Sequence, residues 1–219
     1  MSGPQMNTAM RIYMVATAAV GASALLLQFP LSIAISRANG MTIGGAVITY
    51  FSFFTIQTNL AVVVGLALSF AAPDSDLGRF ASRPEVVAGL GVSIAIVGTG
   101  YSLLLRNLWA PEGLQLIVDF VLHDLVPLLY IAYWLLFVPK RGLRWRSVPQ
   151  WLSYPLAYFG FVLLRGAISG RYPYPFIDAG AVGYPRVFFN AALLLLAFTV
   201  VGLVAVGIGR CIARFAPSD

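Results

Sequence analysis

Six long apolar runs divide the chain, at residues 12–36, 46–72, 86–105, 114–138, 149–168 and 186–208. A helix needs about 20 mostly apolar residues, rising 1.5 Å each, to cross the hydrocarbon core of a bilayer. Each run meets or approaches that length, and none alternates with the two-residue period of a half-buried strand. The pattern predicts an all-α bundle of six transmembrane helices forming a single domain over residues 1–219. Pro30 falls near the far end of the first run, where it is expected to kink or break the helix, because proline lacks a backbone donor and crowds the preceding turn. Gly89, Gly91, Ser93, Gly98 and Gly100 give the third run small residues that permit close helix approach.

Between the runs, PDSDLGRFASRPE (73–85) is the clearest water-exposed connection, and KRGLRWR (140–146) follows the fourth run at once. SGRYPYPFIDAGAVGYP (169–185) is different, with prolines and glycines that rule out one regular helix and many aromatics. Such a segment suits a cap packed on the bundle mouth, where protein and water satisfy its backbone.

Composition narrows the class. With 59% hydrophobic and only 10% charged residues in 219, the chain is far more apolar than a soluble domain, where about a quarter of residues are charged. The net charge of +6 lies between the apolar runs, so it speaks for membrane orientation and not for nucleic acid. Nine Lys and Arg fall in the leading segment, the second and fourth connections and the tail, against four in the other three connections, which places both termini in the cytoplasm. Cys211 stands alone at the end of the last run, so no intrachain disulfide forms, and one histidine without a cysteine cluster makes no zinc or haem site. No cofactor or metal is expected.

The fourth run, LQLIVDFVLHDLVPLLYIAYWLLFV, carries Asp119, the only histidine, His123, and Asp124. Ionisable groups at that depth cost about 2.5–3.5 kcal/mol each on insertion scales, so an intramembrane His one helical turn from a carboxylate is a candidate functional site. Runs two and four both descend from the outer face, and Thr55 and His123 each lie nine residues inside. At 1.5 Å per residue both sit roughly 13–14 Å down, at one level. Tyr101, Ser102, Arg165, Asn190 and the 169–185 connection fall toward the same outer half, whereas the inner half is nearly all apolar.

A histidine can take a proton from a hydroxyl and return it to a leaving group. Thr55 or Thr58 supplies that hydroxyl, Asp119 shares the face of His123 and is the candidate to orient it, and Asp124 is turned about 100° away. Asn59, with backbone amides of the 169–185 connection, is a candidate to stabilise an oxyanion. Arg165 and Asp178 are expected to form an ion pair tying the fifth helix to the cap. An Asp119, His123, Asp124 and Arg165 relay serving a small-solute or proton-coupled transporter is the alternative reading.

Three segments, FFT (53–55), HDLVP (123–127) and YPYPFID (172–178), resemble in order and spacing the androgen-induced and androgen-dependent membrane proteins. The animal members of that six-span family are threonine hydrolases of fatty acid esters of hydroxy fatty acids. The resemblance implies a bacterial relative in the inner membrane that acts on a lipid or fatty acyl ester. It also implies Thr55 as nucleophile and His123 as base, with Tyr174 and Asp178 in the third segment.

Overall fold

The computed structural model describes residues 7–215. Among these the fold is all helical, with six helices long and apolar enough to cross a membrane. They are α1 (Thr8–Ala38), α3 (Phe54–Ala71), α5 (Pro84–Leu108), α6 (Gly113–Phe137), α7 (Ser147–Ser169) and α8 (Tyr184–Phe215). Two shorter helices, α2 (Ile43–Phe51) and α4 (Asp76–Ala81), complete the order. The chain is a multi-pass membrane protein. Large apolar side chains stand exposed along the helices, among them Leu26, Leu103, Leu128, Leu164 and Leu196, as a lipid-facing surface requires.

The expected span over 46–72 is two helices. It breaks at Ser52 and Phe53, where Phe53 takes an extended backbone (φ −79°, ψ 130°) and α3 starts at Phe54. Ser52 donates its hydroxyl to the Ile48 carbonyl, the Tyr158 hydroxyl donates to the Ser52 carbonyl, and the Tyr50 and Phe51 rings just before the break meet edge to face. Thr55 therefore stands in the first turn of a new helix and not in the middle of an old one. Pro30, by contrast, breaks nothing: α1 carries it internally and runs on to Ala38.

Helix α1 packs against α3 and α6, and α5 against α3, α6 and α8. The end where α1 starts and α8 finishes is filled by a core that includes Met14, Val62, Leu66, Val92, Tyr130 and Trp134. At that end Lys140 is buried and its ammonium donates to the carbonyls of Trp134, Leu135 and Val138, satisfying groups that the C-terminus of α6 leaves over. At the opposite end, residues 170–183 fold back over the bundle as a cap. A 3₁₀ turn (Pro175–Ile177) and one helical turn (Ala179–Val182) give it local structure, and Ile177 buries against Val162 and Val187.

Helices α5 and α6 each contain one widened π turn, at Tyr101–Leu105 and Val121–Leu125. Such turns are uncommon and cluster at functional sites. In α6 the cause is legible: Pro127 has no N–H to give the His123 carbonyl, and the Val126 N–H closes on Val121, five residues back. Helix α5 crosses this turn so closely that a Cβ built on Gly98 would lie 2.9 Å from the His123 carbonyl oxygen. A backbone atom cannot step aside as a side-chain end can. Gly98→Ala is therefore expected to push α5 off α6 at a cost of about 1–3 kcal/mol, read as a lower melting temperature in detergent. An unchanged melt would show that the two helices are not in this contact.

Candidate active site

Thr55 Oγ1 lies 3.2 Å from His123 Nε2. The threonine is buried and the imidazole only 14% exposed. On the other side of the ring, Nδ1 is 2.9 Å from the Asp119 carbonyl and 3.2 Å from Asp119 Oδ1, both acceptors. Two acceptors at Nδ1 hold the proton there, which leaves the Nε2 lone pair facing the threonine hydroxyl. Asp119 is buried and accepts a hydrogen bond from the Tyr101 hydroxyl on Oδ2. The Tyr101 ring also stacks on the imidazole, centroids 3.8 Å apart and planes 18° from parallel. The two π turns thus carry the two stacked rings, and Tyr101 is the residue that sequence reasoning placed in the outer half without assigning it a role.

The break between α2 and α3 supplies the remaining parts. The first N–H groups of a helix have no partner inside it. Here the Phe54 N–H donates to Tyr174 Oη at 2.9 Å, which leaves the phenol proton for another acceptor. The Thr55 and Ile56 N–H groups belong to the same first turn. Burial pushes the Tyr174 phenol above its ordinary pKa, so it stays a neutral donor. Tyr174 reaches this place because the cap folds inward, with its ring edge-on to Phe53 and stacked on Phe176.

The other residues singled out from sequence separate into different roles. Thr58 is fully buried one turn along α3, and its hydroxyl is 3.1 Å from the Tyr154 hydroxyl, away from the histidine. Asn59 does not offer donors to an oxyanion. Its Nδ2 donates to the Thr55 carbonyl at 2.8 Å and to the Leu122 carbonyl at 3.1 Å, the group that the π turn of α6 sets free. Asp124 pairs with Arg106 at 2.6 Å, and that guanidinium lies over the Tyr101 ring, 5.0 Å from its centroid. Asn190 donates to the Phe176 carbonyl and pins the cap to α8.

The expected ion pair of Arg165 with Asp178 is not formed. Arg165 donates to Thr49 Oγ1 at 2.7 Å and to the Arg171 carbonyl at 3.2 Å, while Asp178 caps the turn Ala179–Val182 by accepting the Gly180 and Ala181 N–H groups. The reason is local: a carboxylate two and three residues before free amides is satisfied without crossing the cap.

Two cavities meet at Thr55. The first, of about 290 Å³, is lined almost wholly by carbon, from side chains such as Val97, Leu104, Leu156, Phe188, Leu195 and Phe198. The second, of about 420 Å³, holds His123 and Asp119 and is edged by Gln28, Ser32, Asn39 and Gln115. Thr55, Tyr101, Leu105 and Tyr174 border both. Fold and site together define a six-helix membrane protein with a buried hydroxyl–imidazole–carboxylate array between an apolar and a mixed cavity. Set against protein-family models, curated proteins and solved structures, the chain matches none.

Asn59 ties the two helices that bear Thr55 and His123. Replacing it by Ala leaves the Leu122 carbonyl buried without that donor, and a loss of about 1–3 kcal/mol is expected, read as a lower melting temperature in detergent.

Proposed function

We propose that this protein hydrolyses a lipid ester within the membrane, with Thr55 as nucleophile and His123 as general base. One observation carries the reading: a threonine hydroxyl lies in hydrogen-bond reach of an imidazole whose other nitrogen is held by a carboxylate, at the junction of two cavities able to take the two halves of an ester. A polar cluster serving only to hold helices together needs no empty space on either side of it.

The steps follow from the positions. His123 Nε2 takes the Thr55 proton as Oγ1 adds to the ester carbonyl carbon. The carbonyl oxygen becomes an oxyanion, for which the Ile56 N–H group and the Tyr174 hydroxyl are the donors at hand. The imidazolium gives its proton to the departing alcohol oxygen, leaving an acyl-threonine. Water, deprotonated by the same nitrogen, then cleaves that ester to a fatty acid and restores Thr55. Asp119 holds the Nδ1 proton and offsets the transient imidazolium charge.

The apolar cavity between α5, α7 and α8 suits an acyl chain, and the mixed cavity the alcohol part. The resemblance carried by residues 53–55, 123–127 and 172–178 adds fatty acid esters of hydroxy fatty acids as the first substrates to try, and the bacterial inner membrane, with both termini cytoplasmic, as the setting. The filled core at the terminal end of the bundle favours chemistry in a closed chamber over a through-path for a solute.

The test is hydrolysis of a panel of fatty acyl esters by the purified protein in detergent. Thr55→Ala and His123→Ala are expected to lower turnover by about 10²–10⁴-fold with the fold retained, and Thr58→Val to keep most of it. Mass spectrometry of quenched reactions should find the acyl group on Thr55. The reading fails if folded wild type turns over none of the esters, or if Thr55→Ala matches it. Ala191→Phe, which places a ring in the apolar cavity, is expected to shift preference toward shorter acyl chains, seen as a changed ratio of kcat/KM between C8 and C16 esters.

A further inference from the structure

The mixed cavity has a polar wall that the steps at Thr55 do not use. Gln28, Ser32 and Ser36 stand at four-residue intervals on α1, so they share one face and form a strip about 12 Å long. Gln115 of α6 donates to the Gln28 side chain at 2.9 Å, and Gln28 donates to Ser32 Oγ at 2.8 Å. A pair of amides alone would be ordinary glue between two membrane helices. Ser36 glues nothing: it is 7% exposed and lines the cavity, yet its hydroxyl has no hydrogen-bond partner among the described residues. A hydroxyl on a membrane helix commonly bonds back to the carbonyl four residues earlier, as those of Ser93, Thr99 and Thr199 do. Ser36 leaves that bond unmade, and a buried hydroxyl is costly to leave unpaired. The side chains of this strip are all uncharged. No Lys or Arg lines the cavity, and its one carboxylate, Asp119, is already held by Tyr101 and His123. An anionic head would be buried here beside that carboxylate with no counter-ion. Hydroxyl groups suit the wall, because each both donates and accepts, as amide and hydroxyl side chains require.

We propose that this wall binds an uncharged polyhydroxy head, glycerol or a sugar, on the alcohol side of the ester, with Ser36 as a residue that selects it. This rests on the ester-hydrolase reading for which half of the substrate lies here, and it puts a polyol where the resemblance suggests a hydroxy fatty acid. The substrate is then a monoacylglycerol or an acylated sugar, with its acyl chain in the apolar cavity, its ester at Thr55 and its free hydroxyls along α1. Ser32 and Ser36, one turn apart, are spaced for two hydroxyls of one head. Attack by Thr55 Oγ1 breaks the ester bond, the polyol leaves with the proton that His123 returns to its oxygen, and water then frees the fatty acid from the threonine.

Binding of ligands that cannot be hydrolysed tests the subsite apart from turnover. Hexadecyl glycerol ether, hexadecyl glucoside, hexadecanol and palmitate are titrated into the purified protein in a polyoxyethylene detergent, which carries no sugar to compete, and followed by native mass spectrometry and melting temperature. At least one of the two polyol ligands is expected to bind about tenfold more tightly than either hexadecanol or palmitate. Whichever of the two binds better tells glycerol from sugar. Ser36→Ala should remove most of that preference and leave the melting temperature of the unliganded protein unchanged, because the Ser36 hydroxyl holds no other group. Hexadecanol or palmitate binding as tightly as both polyol ligands, or a full preference kept by Ser36→Ala, overturns the proposal. So does a higher kcat/KM of wild type for fatty acid esters of hydroxy fatty acids than for both monopalmitoylglycerol and palmitoyl glucose, a result that would leave the hydrolase reading intact. Selective polyol binding without turnover of any ester would leave the subsite standing and remove the hydrolase reading instead.

Discussion

The array around Thr55 and His123 depends on one missing N–H. Pro127 cannot close a helical hydrogen bond onto His123, and the turn of α6 before it widens so that Val126 bonds five residues back. The widening frees the Leu122 carbonyl, which Asn59 of α3 takes, and so binds the helix carrying the histidine to the helix carrying the threonine. Gly98 then lets α5 press against the same turn, bringing the Tyr101 ring flat onto the imidazole and its hydroxyl to Asp119. A proline, a glycine and an asparagine, none with chemistry of its own to offer, decide where the reactive groups stand.

The low dielectric of the membrane makes such precision necessary. Charges and polar groups that water does not solvate are tolerated only when paired. Asp119 is served by Tyr101 and His123, Asp124 by Arg106, and Lys140 by three carbonyls at the helix end. The threonine hydroxyl faces the imidazole at the point where two cavities share a wall, while the opposite end of the bundle is packed with apolar and aromatic side chains. Polar chemistry is thus concentrated in one half of the molecule, under a cap whose Tyr174 hydroxyl reaches the first turn of α3.

That cap shows how an irregular segment acquires a role. Its prolines and glycines keep it from forming a seventh long helix, Asp178 and Asn190 satisfy its backbone locally, and its aromatic rings pay for burial against Phe53 and α8. Held in this way it forms part of the wall of both cavities through Pro173 and Tyr174.

The amino-acid sequence alone determined the fold class, the six apolar spans, the gathering of polar residues in one half of the bundle and the nomination of His123 with Asp119 and of Thr55 or Thr58. These rest on composition, run length and helical spacing, which are local and additive along the chain. Only the tertiary structure decided the rest. An uncharged run over 46–72 has the same hydropathy whether or not it breaks at Ser52, because the break is held by partners from distant helices, with Tyr158 on one side and Tyr174 on the other. Arg165 and Asp178 have opposite charges and suitable separation, yet each finds a nearer partner, and pairing depends on distance in space. Which threonine meets the histidine turns on helix rotation. Three steps of about 100° leave Thr58, facing Tyr154, roughly 60° round the helix from Thr55, facing His123, and no pattern along one helix records which neighbour stands on each side.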